Sequence, residues 1–105
     1  MDKRQDIIKK LSRFKKELNK RVRIDSMIFF GSTAKGRAKK WSDIDLLIVS
    51  KNFKNVKTYK RAKGFRDYWN LNYPVDFLCY TPAEFRRLSK RVTIVREAVK
   101  EGIEI

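Results

Sequence analysis

Histidine is absent from these 105 residues, and cysteine occurs once, at Cys79. With no imidazole and one thiol, a zinc site of ordinary composition cannot be built, so a catalytic metal would have to be held by oxygen, with magnesium the first candidate. A lone cysteine excludes an internal disulfide, and the charged opening residues do not read as an apolar signal segment, so the expected location is a reducing cytoplasm. No apolar run approaches the roughly 18 residues that span a bilayer, so no membrane-embedded role is expected. Acidic residues are also scarce, with 12 Asp plus Glu against 27 Lys plus Arg and a net charge of +15 at pH 7.

That excess favours anionic partners, and a nucleoside triphosphate, a nucleic acid or an acidic protein would each fit it. Charge-rich surfaces also occur in heat-adapted proteins, where the lysines and arginines need touch no ligand. The length allows one modest core, so residues 1–105 are expected to form a single domain.

From Asp2 to Val22, Ile7, Ile8, Leu11, Phe14, Leu18 and Val22 recur at helical spacing, which predicts an amphipathic helix with a basic outer face. A turn bracketed by Asp25 and Ser26 leads into Met27 to Phe30, all apolar, as expected of a strand covered on both faces. Gly31 and Ser32 follow. Ser32 can cap a short helix, whose first N–H groups would point at an anion such as phosphate, and Gly36 would end it early. Lys35, Arg37, Lys39 and Lys40 then make a basic loop.

The next apolar run, Ile44 to Val49, is entered through Asp43 and interrupted by Asp45. Side chains two residues apart on a strand share a face, so two like charges sit together where grease is expected. A divalent cation between them would relieve the repulsion. Further on, apolar residues from Phe53 to Leu71 predict a helix over roughly Thr58 to Leu71, its aromatic stripe read as core and Gly64 a weak point. Pro74 introduces a third strand, Val75 to Tyr80, whose second residue, Asp76, is again an isolated carboxylate. Thr81, Pro82 and Glu84 form a capping box, which gives Glu84 a structural task, for a helix reaching Lys90 or Arg91. Thr93 to Lys100 reads as a last helix with Val95, Ala98 and Val99 inward, ended by Gly102 and followed by a terminal strand at Ile103 to Ile105. No repeat is expected anywhere in the chain.

A strand ending in Gly31 and Ser32, about a dozen residues, then Asp43-Ile44-Asp45 on the next strand: this pattern resembles the signature of the DNA polymerase β nucleotidyltransferase superfamily, and in particular its minimal nucleotidyltransferase domains. Gly31, Ser32, Gly36, Ser42, Asp43 and Asp45 fall on family positions, while Lys39, Lys40 and Trp41 depart from the common loop. The resemblance implies an α/β (α+β) fold, a small mixed sheet of three to four strands flanked by helices. It makes Asp76 the third catalytic carboxylate. Asp43, Asp45 and Asp76 would then hold two magnesium ions, with manganese the alternative, and Gly31, Ser32, Gly36 and Ser42 would bind the nucleotide, ATP or another triphosphate. It further implies transfer of a nucleoside monophosphate, AMP foremost, to a hydroxyl on a partner, with an antitoxin role against a HEPN-domain ribonuclease. The other readings are a non-catalytic module that neutralises its partner by contact, and an enzyme acting on RNA or DNA ends.

Overall fold

A computed structural model describes residues 3–37 and 42–105. The chain runs α1 (Lys3–Asn19), β1 (Ser26–Phe30), β2 (Ile44–Val49), three 3₁₀ turns (Lys51–Phe53, Thr58–Lys60 and Phe65–Tyr68), β3 (Val75–Tyr80), α2 (Pro82–Ser89), α3 (Ile94–Glu101) and β4 (Ile103–Glu104). The strands form one sheet in the order β3-β2-β1-β4, with β1 antiparallel to both its neighbours and β2 parallel to β3. This is the small mixed sheet of an α/β fold that the family resemblance implied.

Two faces of one sheet explain the burial pattern. Met27 and Phe29 of β1 and Ile44, Leu46 and Ile48 of β2 pack with Ile7, Leu11, Phe14 and Leu18 of α1. The alternate residues, Ile28, Phe30, Leu47 and Val49, pack instead with Val95 and Ala98 of α3. Strands covered on both sides carry continuous apolar runs, and the two buried carboxyl-free faces leave acids room only at the strand ends. Each α1 side chain buried here contributes about 1.5 to 3 kcal/mol, enough to fix the helix on the sheet. The helix stops at Asn19, and its Oδ1 accepts from the Ile24 N–H at 2.8 Å. Val22 therefore packs from the following turn and not from the helix.

The capping box at Thr81 and Glu84 is formed, and α2 ends at Ser89, one or two residues short of expectation. Glu84 also pairs through both carboxylate oxygens with Arg61, whose side chain is 7% exposed. Arg61 donates further to the carbonyls of Val56 and Cys79, so it pins the β2–β3 connection to the sheet. On α3, Val95 and Ala98 face inward as expected, but Val99 does not: it is 48% exposed. A helix lying on a sheet with one narrow stripe buries residues three apart and leaves the next one on its shoulder.

The expected helix over Thr58–Leu71 is absent, and the reason is legible in a pattern the sequence reading passed over. From residue 51 the chain repeats every three residues: Lys-Asn-Phe, Lys-Asn-Val, Lys-Thr-Tyr, Lys-Arg-Ala, Lys-Gly-Phe, Arg-Asp-Tyr. The expectation of no repeat is wrong for this stretch. In an α-helix a period of three drifts about 60° per triplet and scatters its apolar residues around the axis. In a 3₁₀ helix residues three apart eclipse, so the same pattern stays on one side. Gly64 at φ 85° and Asn55 at φ 64° divide the stretch into short pieces. Phe53 and Phe65 are buried, Phe65 and Trp69 each meet Phe77 edge to face, and Phe14 stacks on Phe77 while meeting Trp69 edge to face. Most of the aromatic stripe is core, as read.

Candidate active site

Strand register alone brings the acids together. Phe30, the last residue of β1, pairs with Asp45 of β2, and Asp45 pairs with Asp76 of β3. Gly31, Asp45 and Asp76 thus lie side by side at one end of the sheet, and Asp43 joins them two residues before Asp45. The Ile44 N–H donates to the Pro74 carbonyl at 2.9 Å, which locks the starts of β2 and β3 to each other. Asp43 and Asp76 are exposed and Asp45 is half-buried.

Gly31 has φ 86°, and a Cβ built on it would land on Oδ2 of Asp45. The glycine is therefore required twice, once by the left-handed backbone and once by the carboxylate that occupies the space of its missing side chain. The family resemblance implies only that Gly31 binds the nucleotide. What the structure adds is that Gly31 makes room for Asp45.

The segment after Gly31 is a run of turns, not the short helix that Ser32 was expected to cap. Lys35 N–H donates to the Gly31 carbonyl, Gly36 N–H to Thr33 and Arg37 N–H to Ser32, at 3.1, 3.2 and 2.9 Å. Gly36 closes the run at φ 75°. A glycine in the left-handed region at each end bends the chain too soon for helical bonding to propagate. Ser32 is exposed at the start of this turn, and Ser42 is half-buried just ahead of Asp43. Lys39, Lys40 and Trp41 lie outside the described residues.

Thr33 is a site residue the sequence reading missed. It is 2% exposed, and its Oγ1 donates to the Asp43 carbonyl at 2.9 Å, tying the turn after β1 to the entry of β2. A hydroxyl in a turn is ordinarily solvated, so only the tertiary fold reveals this bond. The turn is held from outside as well. Arg4 on α1 donates to the Ala34 carbonyl at 3.3 Å, and the Lys35 ammonium lies 2.6 Å from Glu101 on α3. That hydrogen bond from Lys35 holds the Glu101 carboxyl below its ordinary value.

The Asp45 carboxyl is raised, first by burial, then by the charge of Asp76, then by that of Asp43. A half-buried carboxylate whose ionisation is opposed by two neighbouring acids marks a place suited to positive charge. The donors are all oxygen, which suits a hard divalent cation. Among the described residues no three acidic, thiol or imidazole side chains stand close enough to cage an ion on their own. Magnesium is ordinarily held by one or two carboxylates plus substrate phosphates and water, so an open set of acids at a strand end matches its chemistry. Beside Asp76 a cleft of about 450 Å³ opens between β3 and residues 62–67, with Lys63 and Arg66 on its wall. Arg66 reaches the Val75 carbonyl at 3.4 Å, on the residue before Asp76.

Known proteins resemble this chain in sequence and in fold. A protein of Haemophilus influenzae named protein adenylyltransferase MntA is 34% identical over 77 residues, which cover 71% of this chain and 68% of that protein. A Methanocaldococcus jannaschii protein also named as a protein adenylyltransferase is 26% identical over 102 residues, 95% of this chain and 99% of its own length. A solved Sulfolobus solfataricus structure described as a nucleotidyltransferase superposes with a TM-score of 0.67 at 22% identity, covering 96% of this chain and 80% of that one. That likeness establishes the fold. The nucleotidyltransferase domain family matches residues 11–103, nearly the whole chain with β1, β2 and β3 entire, and the chain belongs to that family as a nucleotidyltransferase.

Proposed function

We propose that the chain transfers AMP from ATP to a side-chain hydroxyl of a partner protein, and that this partner is a HEPN-domain ribonuclease held in check by the modification. The observation that carries the reading is the in-register pair Asp45 and Asp76, with Asp43 beside them, in a chain whose relatives are named as protein adenylyltransferases. Asp43, Asp45 and Asp76 would hold magnesium, or manganese in its place. A divalent cation bound there supplies charge neutralisation at the phosphate oxygens.

The chain's own groups then have defined tasks. Lys35, Gly36 and Arg37 spend their N–H groups inside the turn, so the phosphates would meet the Ser32 hydroxyl and the N–H groups at the turn's start. Asp76 faces the acceptor and takes the proton of its hydroxyl. The hydroxyl oxygen bonds to the α-phosphorus as the bond from that phosphorus to the bridging oxygen breaks, and pyrophosphate leaves. The chain itself holds the strand ends rigid, through Thr33 and the Ile44–Pro74 bond, so that little reorganisation is needed as the acceptor arrives.

Intact-mass spectrometry tests the reading. Incubation of the partner with the chain, ATP and magnesium should add AMP in steps of about 329 Da, located to a protein hydroxyl. A partner neutralised with no mass gain would point to binding alone. Label found only on RNA ends would replace the protein acceptor with a nucleic acid.

A further inference from the structure

The connection between β2 and β3 leaves the far end of β2 at Ser50 and returns to the catalytic end at Val75, so it travels the length of the sheet, about 20 Å for six strand residues. Its three-residue repeat sets Lys51, Lys54, Lys57, Lys60, Lys63 and Arg66 at every third position along this path, and all six are exposed. From Lys51 to Arg66 there are seven cations and no carboxylate, the seventh being the buried Arg61. Among the described residues none of the six pairs with an acid, although Asp6, Glu17, Asp25, Glu97 and Glu101 all pair with cations elsewhere. A surface tuned for heat mixes both signs in networks. This one does not, and its last two members, Lys63 and Arg66, line, together with Asp67 at the row's end, the cleft that reaches Asp76. At the middle of the row the repeat's apolar position turns outward: Tyr59 is 77% exposed, whereas Phe53 and Phe65 are buried.

We propose that this cationic row is the docking surface for the acceptor, that the acceptor is a protein presenting an acidic face, and that Tyr59 is the apolar anchor of the contact. The inference rests on the adenylyl-transfer reading for its acceptor. Charge complementarity favours an anion, and the aromatic content decides which class. Strand-like nucleic acids are gripped by successive aromatic platforms. The row exposes a single ring, and Lys60 already lies over it at 5.8 Å from the centroid. A lone tyrosine among cations is instead what a protein interface uses as a central contact. An acidic face laid along the row would place its hydroxyl-bearing segment at the cleft beside Asp76.

Random glutamate–tyrosine copolymer serves as the probe, with lysine–tyrosine copolymer and a single-stranded RNA oligonucleotide as comparators. Lys54, Lys57 and Lys60, all outside the acid cluster and the cleft, are changed together to Gln and, in a second variant, to Glu. The native chain should bind the acidic copolymer and ignore the basic one, with affinity falling as salt rises. The Gln variant should bind roughly tenfold more weakly and the Glu variant more weakly still. Tyr59→Ala should weaken binding without changing its salt dependence. Magnesium-ATP binding, followed by calorimetry, should be unchanged in all of them, which shows that the fold is intact. Equal copolymer binding by the Glu variant would overturn the proposal, as would RNA bound more tightly than copolymer with the same dependence on the three lysines. Label from α-labelled ATP separates the two ideas. Row-dependent binding with no label on the copolymer tells against adenylyl transfer and leaves the docking surface standing, whereas label transfer indifferent to the row does the reverse.

Discussion

Asp45 and Asp76 are in-register partners on parallel neighbouring strands, and the Asp45 carboxyl is raised by its burial and by the charge of Asp76. A raised carboxyl favours folding below the pKa of the unfolded chain, about 3.9, and that contribution is lost as pH rises through the folded value. At neutral pH the ionised Asp45 therefore works against the fold.

Asp45→Asn follows from that sign. The variant should lose transfer by at least about a hundredfold, because an amide is a poor ligand for magnesium, while melting at the same temperature or higher at pH 7. Radiolabel transfer and thermal melting on one preparation check both halves. A large drop in melting temperature would show that Asp45 is a structural residue.

Asp76→Asn should separate binding from chemistry. Asp43 and Asp45 remain to engage the nucleotide, so magnesium-ATP affinity should stay within about threefold, whereas transfer to the acceptor collapses. Calorimetry and single-turnover labelling read the two quantities. Affinity falling in step with transfer would place Asp76 on the nucleotide and not on the acceptor.

Two turn residues make a graded pair. Gly31→Ala forces a Cβ onto the Asp45 carboxylate at an unfavourable φ and should cost about 1 to 3 kcal/mol together with most of the activity. Thr33→Val removes only the bond to the Asp43 carbonyl and should cost about 1 kcal/mol, with Thr33→Ser restoring it. Chemical denaturation and initial rates measure both. Native-like activity in Thr33→Val would free Asp43 from dependence on that bond.

The Arg61–Glu84 pair sets the acid limb of stability. Glu84 is lowered to about 2, first by its hydrogen bond from Arg61, so its contribution is full above the unfolded glutamate value, about 4.3, and disappears as pH falls through about 2. Glu84→Gln should cost roughly 2 kcal/mol at pH 7, since it leaves a buried guanidinium without its counter-charge, and the loss should shrink between pH 4 and pH 2. Denaturant melts across that range decide it. A cost independent of pH would assign the effect to the helix cap.

The sequence by itself determined what depends on near neighbours. The continuous apolar runs of β1 and β2 required strands covered on both faces, the α1 stripe required a helix, and Thr81 with Glu84 wrote its own cap. Gly31, Ser32 and the acids were legible as a pattern because chemistry at a strand end needs polar residues where burial would forbid them. The period of three from Lys51 to Tyr68 was also present in the sequence, and it was read as a helix only because periods of 3.0 and 3.6 look alike over short spans. Only the tertiary structure decided that β2 and β3 run parallel and in register, since pairing across 25 residues of intervening chain leaves no local trace. It alone decided that Gly31 yields its side-chain space to Asp45, that Thr33 ties the turn to Asp43, and that Arg61 is buried against Glu84. Each of those is a contact between segments distant in sequence, and such contacts are fixed by how the sheet and its covering layers close on one another.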